Sequence, residues 1–253
     1  LPISDDIDPA QTDDDYPGKQ FNTILYTGTG SSNAISGLGF QPDLVWLKQR
    51  GSGGSNMLLD TNRGTNSRLS SNNTNEAKTA SSYFTSFDSD GFTVTGNDAI
   101  SNASSGTFVG WCWRANGGTT STNNEGNHTC TLQANAKAGF SIMTLGNYTS
   151  ASGVTIGHGL DKAPSFYIHK PLNSNNWHVY HKSLGATKAV LLNSTAAEAT
   201  AIGYWANTEP TADVLSLGNT FAGTFDGIVY AWSEVEGYSK FSSYVGNGNV
   251  DGP

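Results

Sequence analysis

An internal repeat limits the folds open to this chain more than any other feature of its sequence. The segment LGFQPDLVWLK at residues 38–48 resembles LDKAPSFYIHK at residues 160–170, so Pro42 aligns with Pro164, 122 positions later. Further pairs at this spacing are Leu69 with Leu191 and Glu76 with Glu198. Self-similarity at a fixed period indicates one structural unit built more than once. The sequence therefore predicts two tandem copies of a unit of about 100 residues.

The starts and ends of the copies set the expected boundaries. Phe-led segments begin at residues 21, 140 and 241, and the third predicts a β-strand with Phe241 buried against its own chain or another. Residues 116–127 contain no apolar side chain and predict a linker. The expected division is an acidic arm at 1–20, a first repeat at 21–116, a linker at 117–127, a second repeat at 128–240 and the start of a truncated third repeat at 241–253.

Composition and local pattern favour β-structure in both copies. Gly, Ser, Thr and Asn are abundant, and these residues are weak helix formers that suit turns. Segments that predict strands in the first copy lie at 22–27, 44–49, 57–60, 68–70, 83–87, 92–95 and 107–113. The sequence predicts an all-β protein with two tandem β-sandwich domains of the jelly-roll or concanavalin-like type. One short helix per copy is expected, at the capping box Thr195–Glu198 and at its looser counterpart Asn73–Glu76.

The charge pattern argues against two classes of partner. The net charge is -8, and six of the first fifteen residues are Asp. Gripping a phosphate backbone requires clustered Lys and Arg, so no nucleic acid partner is predicted. No apolar run reaches the roughly 18 residues of a membrane-spanning helix, so no membrane span is predicted either.

The two cysteines are predicted to be free, buried thiols, with a single disulfide as the alternative. Cys112 stands between Trp111 and Trp113 in a strand-like segment. Since successive strand residues face opposite ways, its side chain is expected on the other face from both tryptophans.

The sequence contains no motif for a common cofactor or catalytic centre. P-loop, dinucleotide-binding, CxxC, HExxH and GxSxG patterns are absent. We therefore predict no cofactor, no metal and no catalytic residue. One pair of carboxylates, Glu234 and Glu236, has the spacing of a glycosidase acid and nucleophile on a strand face. The first copy has no carboxylate after Trp113, which favours solvated strand-end side chains.

Two groups of residues resemble metal sites, but the spacing of their side chains along the sequence does not suit metal binding. Asp88 and Asp90 resemble the start of a calcium loop, but its twelfth position is Ala99 where a bidentate Glu is needed. These two residues are predicted to form a turn. His178 and His181 are three positions apart on a predicted strand, so they are expected on opposite faces and not on one metal.

Aromatic side chains are the remaining candidates for a binding surface, because Trp and Tyr suit stacking against a ligand. The candidates are Trp177, Tyr180, Tyr204 and Trp205. Packing in the core is the open alternative for each of them.

Six longer strings carry a family resemblance: LYTGTG at 25–30, GFQPDLVWLK at 39–48, FDSDGF at 87–92, VYHKSLG at 179–185, LNSTAA at 192–197 and AWSEVEGYSKF at 231–241. Together they resemble a repeat module of marine tailed bacteriophages over about residues 21–253. That module is a domain of unknown function, found in tandem in long virion proteins described as tail-fibre or structural proteins, often after a SPRY or concanavalin-like domain. It has no catalytic assignment to transfer.

The resemblance implies a non-enzymatic protein of the virion surface. We expect a tail-fibre, appendage or capsid-surface module that attaches to a host-surface glycan or receptor. The implied partners are other virion proteins and copies of the same chain, with a trimer among the open states. Two alternatives remain: a capsid decoration or shaft module without ligand, and a glycan-depolymerising enzyme using Glu234 and Glu236. An exposed aromatic groove would favour attachment, and carboxylates converging in a cleft would favour the enzyme.

Overall fold

A computed structural model describes residues 16–149, 153–200, 203–218 and 224–250. These residues form nineteen strands and a single 3-10 helix, Pro17–Lys19, which confirms the all-β prediction. None of their helices is long or apolar enough to cross a membrane. The strands are β1 (Phe21–Thr27), β2 (Asn33–Ser36), β3 (Leu44–Gln49), β4 (Met57–Asp60), β5 (Ser67–Arg68), β6 (Lys78–Thr79), β7 (Phe84–Asp88), β8 (Gly91–Val94), β9 (Thr107–Trp113), β10 (Ser121–Asn123), β11 (Cys130–Asn135), β12 (Phe140–Thr149), β13 (Val154–Gly157), β14 (Phe166–Pro171), β15 (His178–His181), β16 (Lys188–Leu191), β17 (Ala199–Thr200), β18 (Val214–Leu217) and β19 (Thr224–Trp232).

The first half of the chain forms two sheets around a core of its own. The larger sheet has the antiparallel order β1-β9-β3-β4, and the smaller sheet has the order β2-β8-β7. Their side chains meet in a buried cluster that includes Val45, Leu47, Phe84, Phe92 and Cys112. Alternation along β9 places Cys112 in this cluster and Trp113 on the opposite side, as predicted.

The second half also has a larger and a smaller sheet around a core of its own. Its larger sheet has the order β10-β11-β12-β19-β14-β15-β16-β17, and β13 pairs with β18 in the smaller sheet. The core between them contains Cys130, Tyr148, Tyr167, Tyr180 and Trp205.

A third apolar cluster, here called the shared cluster, joins the outer faces of the two larger sheets. Its buried members from the first half are Leu44, Leu58, Leu69 and Ala115, and those from the second are Phe140, Ile142, Ile168, Trp177, Val179, Ile228 and Tyr230. Hydrogen bonds cross the same interface: Nε1 of Trp177 donates to the carbonyl oxygen of Ser70 at 3.0 Å. These four sheets therefore pack in sequence with three cores between them, and β5 and β6 form a fifth, two-stranded sheet among the described residues.

The larger sheets of both halves have the same strand order. Strands β1, β9, β3 and β4 correspond to β12, β19, β14 and β15. Trp113 ends β9 in register with Phe21 and Leu44, and Trp232 ends β19 in register with Phe140 and Phe166. Because the shared cluster draws side chains from both halves, the halves pack against each other and are joined by more than the residues between them.

The two predicted helices are wrong. Residues 73–76 and 194–198 have no regular secondary structure. Local side-chain bonds replace helical ones: Oδ1 of Asn73 accepts the N–H of Asn75 at 3.0 Å, and Oγ of Ser194 accepts the N–H of Ala196 at 3.1 Å. Such bonds compete with helix formation. Glu198, the end of the predicted capping box, binds Lys188 instead.

The predicted linker at 117–127 is folded onto the body. The buried Asp43 carboxylate accepts the N–H groups of Ala115, Gly117 and Gly118 at 2.7, 2.9 and 2.6 Å. Strand β10 then forms within the predicted linker and joins the larger sheet of the second half. The buried Asp43 carboxylate thus fixes the start of a segment that composition alone predicts to be a flexible linker.

The predicted strand of a third copy is absent from residues 241–250. Phe241 is only half-buried, and Tyr244 and Val245 are 78% and 88% exposed. Gly248 has a φ of +75°, which lies outside the extended region of a strand. The end of the predicted segment, residues 251–253, and most of the predicted acidic arm, residues 1–15, lie outside the described residues.

Both cysteines are free and buried, which confirms the preferred prediction. Burial is the larger cause, and nearby Glu125 the smaller, of a rise in the pKa of Cys130 to about 12. A thiol with such a pKa is almost wholly protonated at neutral pH and is a poor nucleophile.

Two histidines lie side by side in the second half. His169 and His178 are in register on β14 and β15, with ring centroids 6.3 Å apart. The hydroxyl of Tyr148 lies 2.7 Å from Nε2 of His169. Burial, followed by the charge of Lys170, lowers the pKa of His178 to about 4. His178 is buried and His181 is half-buried, and the alternation of β15 places them on opposite faces as predicted.

We expect the free energy of unfolding to fall as the pH is lowered from about 6.5 to about 4. In that window the unfolded chain protonates His178 near its ordinary pKa, whereas the folded chain does not, so acid favours unfolding. Between pH 6.5 and pH 5 this histidine alone should account for about 1.5 kcal/mol. Urea unfolding of wild type and His178→Gln at several pH values tests this, since the variant should lose less stability over the same window. Parallel pH profiles for the two proteins would contradict the expectation.

Candidate ligand-binding groove

Three of the four aromatic candidates are core residues. Trp177, Tyr180 and Trp205 are at most 2% exposed, and no ligand at the surface can stack on them. The predicted surface role is therefore wrong for these three. Strand β15, which follows Trp177 and contains Tyr180, lies in a larger sheet that is covered on both faces. Tyr204 is half-buried against the second-half core.

Seven aromatic rings that reach solvent line a groove of about 320 Å³ between the two halves. They are Phe21, Trp46 and Trp113 from the first half, and Phe166, Trp232, Tyr238 and Phe241 from the second. Each of these side chains is half-buried, so each shows part of its ring to the groove. We call this feature the aromatic groove.

Strand register brings these rings together. Trp113 and Trp232 end the last strand of their halves, and their centroids are 6.0 Å apart in an edge-to-face arrangement. Phe21 lies beside Trp113 at 4.8 Å, and Phe166 lies beside Trp232 at 5.4 Å. The groove is thus the place where the shared cluster opens to solvent at the ends of these strands.

Phe241 closes one side of the groove. Its ring stacks parallel to that of Phe166, with centroids 5.5 Å apart and an interplanar angle of 4°. Its backbone N–H donates to Oε1 of Glu234 at 2.8 Å. The first residue of the C-terminal segment is therefore held in place by one ring contact and one hydrogen bond.

A polar pocket adjoins the groove. It is lined by the turn Glu234–Lys240 together with Lys162, and Tyr238 and Ser239 border both spaces. Glu234 forms an ion pair with Lys182 at 2.6 Å. An apolar floor beside a small set of hydrogen-bonding groups is the usual composition of a ligand site.

The predicted carboxylate pair lies in this pocket but is poorly suited to glycosidase chemistry. Glu234 and Glu236 belong to a turn and not to one strand face. The hydrogen bond from Lys182, and next the N–H of Phe241, lowers the pKa of Glu234. A glycosidase general acid needs a raised pKa, so Glu234 is suited to hold an ion pair or accept a hydrogen bond.

Asp88 and Asp90, the candidate calcium ligands, lie at the turn between β7 and β8 and bond to protein groups. Asp90 accepts the N–H groups of Gly37 and Gly39 at 2.9 and 2.5 Å, and Asp88 accepts the hydroxyl of Thr93 at 2.7 Å. The described residues contain no group of three His, Cys, Asp or Glu side chains placed to hold a metal.

Sequence reasoning missed the aromatic groove because its residues occupy strands that look like core. The usable signal was the pair of tryptophans Trp113 and Trp232, each of which stands at the end of an apolar, strand-like segment. Strand ends meet solvent, so aromatic residues repeated at strand ends were better candidates than those in mid-strand.

Comparison with known proteins places the chain in a family without assigning it an activity. Residues 16–253 match the family described as Domain of unknown function (DUF7483). The chain belongs to this family. The DUF7483 match spans both halves, as the shared cluster does. No curated protein and no solved structure matched the chain.

Proposed function

We propose that this DUF7483 protein is a carbohydrate-binding attachment module and that the aromatic groove holds the sugar. The observation that carries the proposal is the set of half-buried rings beside a polar pocket. Aromatic faces suit the C–H faces of sugar rings, and neighbouring polar groups suit the hydroxyls. Glu234, Lys182, Tyr238 and Ser239 supply donors and acceptors next to the ring floor.

The biological setting in this proposal is the surface of a bacteriophage particle. The chain acts there as a tail-fibre, appendage or capsid-surface module, with other virion proteins and a host-surface glycan or receptor as partners. The resemblance of the six strings to a phage virion module is the reason for proposing this setting. The tandem repeat is part of the same proposal, and the equal strand order of the larger sheets supports it.

Binding without catalysis is the form of the proposal that the site favours. The lowered pKa of Glu234 and its ion pair with Lys182 make this carboxyl poorly suited to donate a proton. We expect bound polysaccharide to remain intact.

We expect Phe241→Ala to weaken polysaccharide binding at least about fivefold, since one ring contact is worth about 1 kcal/mol beyond its buried area. Calorimetric titration against a panel of purified bacterial capsular and O-antigen polysaccharides measures this. The matched control is Tyr244→Ala, because Tyr244 is an exposed aromatic residue on the same segment and does not line the groove.

Equal losses in the two variants would remove the groove from the proposal. If no polysaccharide of the panel binds, and none perturbs the fluorescence of the groove tryptophans, the ligand-free decoration or shaft role replaces attachment. Release of reducing ends from a bound polysaccharide, lost in Glu234→Gln, would establish the enzyme instead.

A further inference from the structure

Strand β1 is an outer strand of the larger sheet in the first half, and one of its sides is open. It pairs with β9 on one side, and no other described strand pairs with it. The bonds from Arg114 N to Gln20 O and from Gly28 N to Gly106 O show that the even-numbered residues of this segment bond to the β9 side. In an antiparallel pair the direction of the backbone groups alternates along the strand, so those of the odd-numbered Thr23 and Leu25 point to the open side.

Side chains protect the open side of β1 only in part: the N–H of Thr23 donates to Oδ1 of Asn22 at 2.9 Å, and the carbonyl oxygen of Thr27 accepts Nδ2 of Asn33 at 3.1 Å. The other features that protect outer strands are missing. Natural edges are short, charged, bulged or interrupted by Pro, because an open edge recruits further strands. Strand β1 has seven residues, no charge and no Pro, and its pairing with β9 is continuous. By contrast, the outer strand β7 has an irregular register and ends in Asp88, and the outer strand β17 has two residues.

The corresponding strand in the second half is covered at the same place. There β12 pairs with β19 on one side and with β11 on the other. The side chain of Leu25 is 62% exposed in the middle of the uncovered strand. The second half therefore shows that this kind of sheet can hold a further strand at the position that β11 occupies. In the first half the same position beside β1 is uncovered, and Leu25 is exposed there.

We propose that β1 pairs in antiparallel fashion with β1 of a second copy of this chain. Pairing an uncharged strand with itself adds no charge repulsion at the contact, although each chain has a net charge of -8. The backbone of Leu25 exchanges two hydrogen bonds with the backbone of Leu25 in the other copy, and the two side chains lie together on one face. The two larger sheets join into one continuous sheet across a two-fold axis.

Two other segments fit the open side less well. The arm at residues 1–15 contains six Asp and offers few apolar side chains to lie beside Leu25. The segment after Phe241 contains Gly246 and Gly248, and Gly248 has a φ of +75°, which a strand does not adopt. A second copy of β1 has neither defect.

Sedimentation equilibrium of residues 1–253 over a range of concentrations tests the pairing. We expect a reversible dimer, and Leu25→Lys should weaken it at least about tenfold by placing two like charges side by side. At concentrations low enough for both proteins to be monomeric, far-ultraviolet circular dichroism and thermal unfolding should be the same for the two, because Leu25 is exposed in the monomer. Val245→Lys is the matched control, as it adds the same charge at a more exposed apolar position outside the strands.

Cysteine cross-linking tests the register. Leu25→Cys should form an intermolecular disulfide on mild oxidation, since directly opposed strand residues lie within disulfide range. Val245→Cys should not do so, and the native cysteines are buried. The groove variant Phe241→Ala should dimerise like wild type, so this inference stands or fails separately from the proposed sugar site.

Several results would overturn the proposal. One is a wild-type chain that stays monomeric up to about 1 mM, the weak limit of specific association. Another is a dimer that Leu25→Lys leaves intact. A dimer lost only when residues 241–253 are removed would assign the open side to that segment. A dimer that forms only after removal of residues 1–15 would show that the arm covers β1 in its own chain.

Discussion

Replacing Asp60 with alanine is expected to lower the free energy of unfolding by about 3–5 kcal/mol, because it leaves the buried Arg63 guanidinium without a counter-charge. The Asp60 side chain is fully buried, and its Oδ2 lies 2.6 Å from Nη2 of Arg63. The same oxygen accepts the hydroxyl of Tyr230 from the other half at 2.7 Å. Urea unfolding at pH 7 measures the loss.

A double variant separates the charge from the packing. Asp60→Leu combined with Arg63→Met removes both charges, and it should cost less than the sum of the single changes. Glu76→Ala is the matched control, since Glu76 is an exposed carboxylate of the same half, and it should change stability by less than about 0.5 kcal/mol. If the loss of stability in the double variant equals the sum of the losses in Asp60→Leu and Arg63→Met, the two residues do not act as a pair.

Trp177→Ala is expected to destabilise the protein by about 3–5 kcal/mol and to loosen the contact between the halves. Trp177 fills the shared cluster, and its Nε1 donates to the carbonyl oxygens of Ser70 and Asn73 at 3.0 and 3.2 Å. Truncation removes a large buried ring and leaves two carbonyl groups of the first half without that donor. Urea unfolding gives the magnitude.

Hydrogen exchange gives the location. Amides of residues 70–77 should exchange faster in Trp177→Ala, because this segment packs on the second half through Trp177 and through the bond from Ala77 N to Leu172 O. Trp205→Ala is the matched control, since Trp205 is a buried tryptophan of the second-half core alone. If both variants leave the exchange of 70–77 equally slow, Trp177 does not couple the halves.

The strands were largely predictable because the repeat aligns their apolar segments. All seven predicted strands of the first half are present within a few residues, from β1 to β9. Strands β2 and β6 were missed because NAIS and KT are short and contain one large apolar residue between them. The helices were predicted wrongly because Asn73 and Ser194 bond to nearby backbone groups, and a capping pattern does not reveal that choice.

The shared cluster was harder to predict than the strands. Sheets with one solvated face show clean alternation, whereas Ile24 to Thr27 shows a mixed pattern and β4 is buried at all four positions. Apolar runs of this kind indicate strands covered on both faces. The residue pattern of one strand does not show which other sheet packs on its second face. The position of the aromatic groove, which depends on that packing, could therefore not be predicted from the sequence.

The shared cluster also has a consequence for the proposed tandem repeat, because it would limit how a longer array of such units is assembled. Leu44 and Trp113 enter it from the first half, and their register equivalents Phe166 and Trp232 enter it from the second, so both halves use the same face of the same sheet. A further unit would find that face already occupied on both of its neighbours. An array assembled through this contact therefore grows by even numbers, and an odd unit would carry an apolar sheet into solvent.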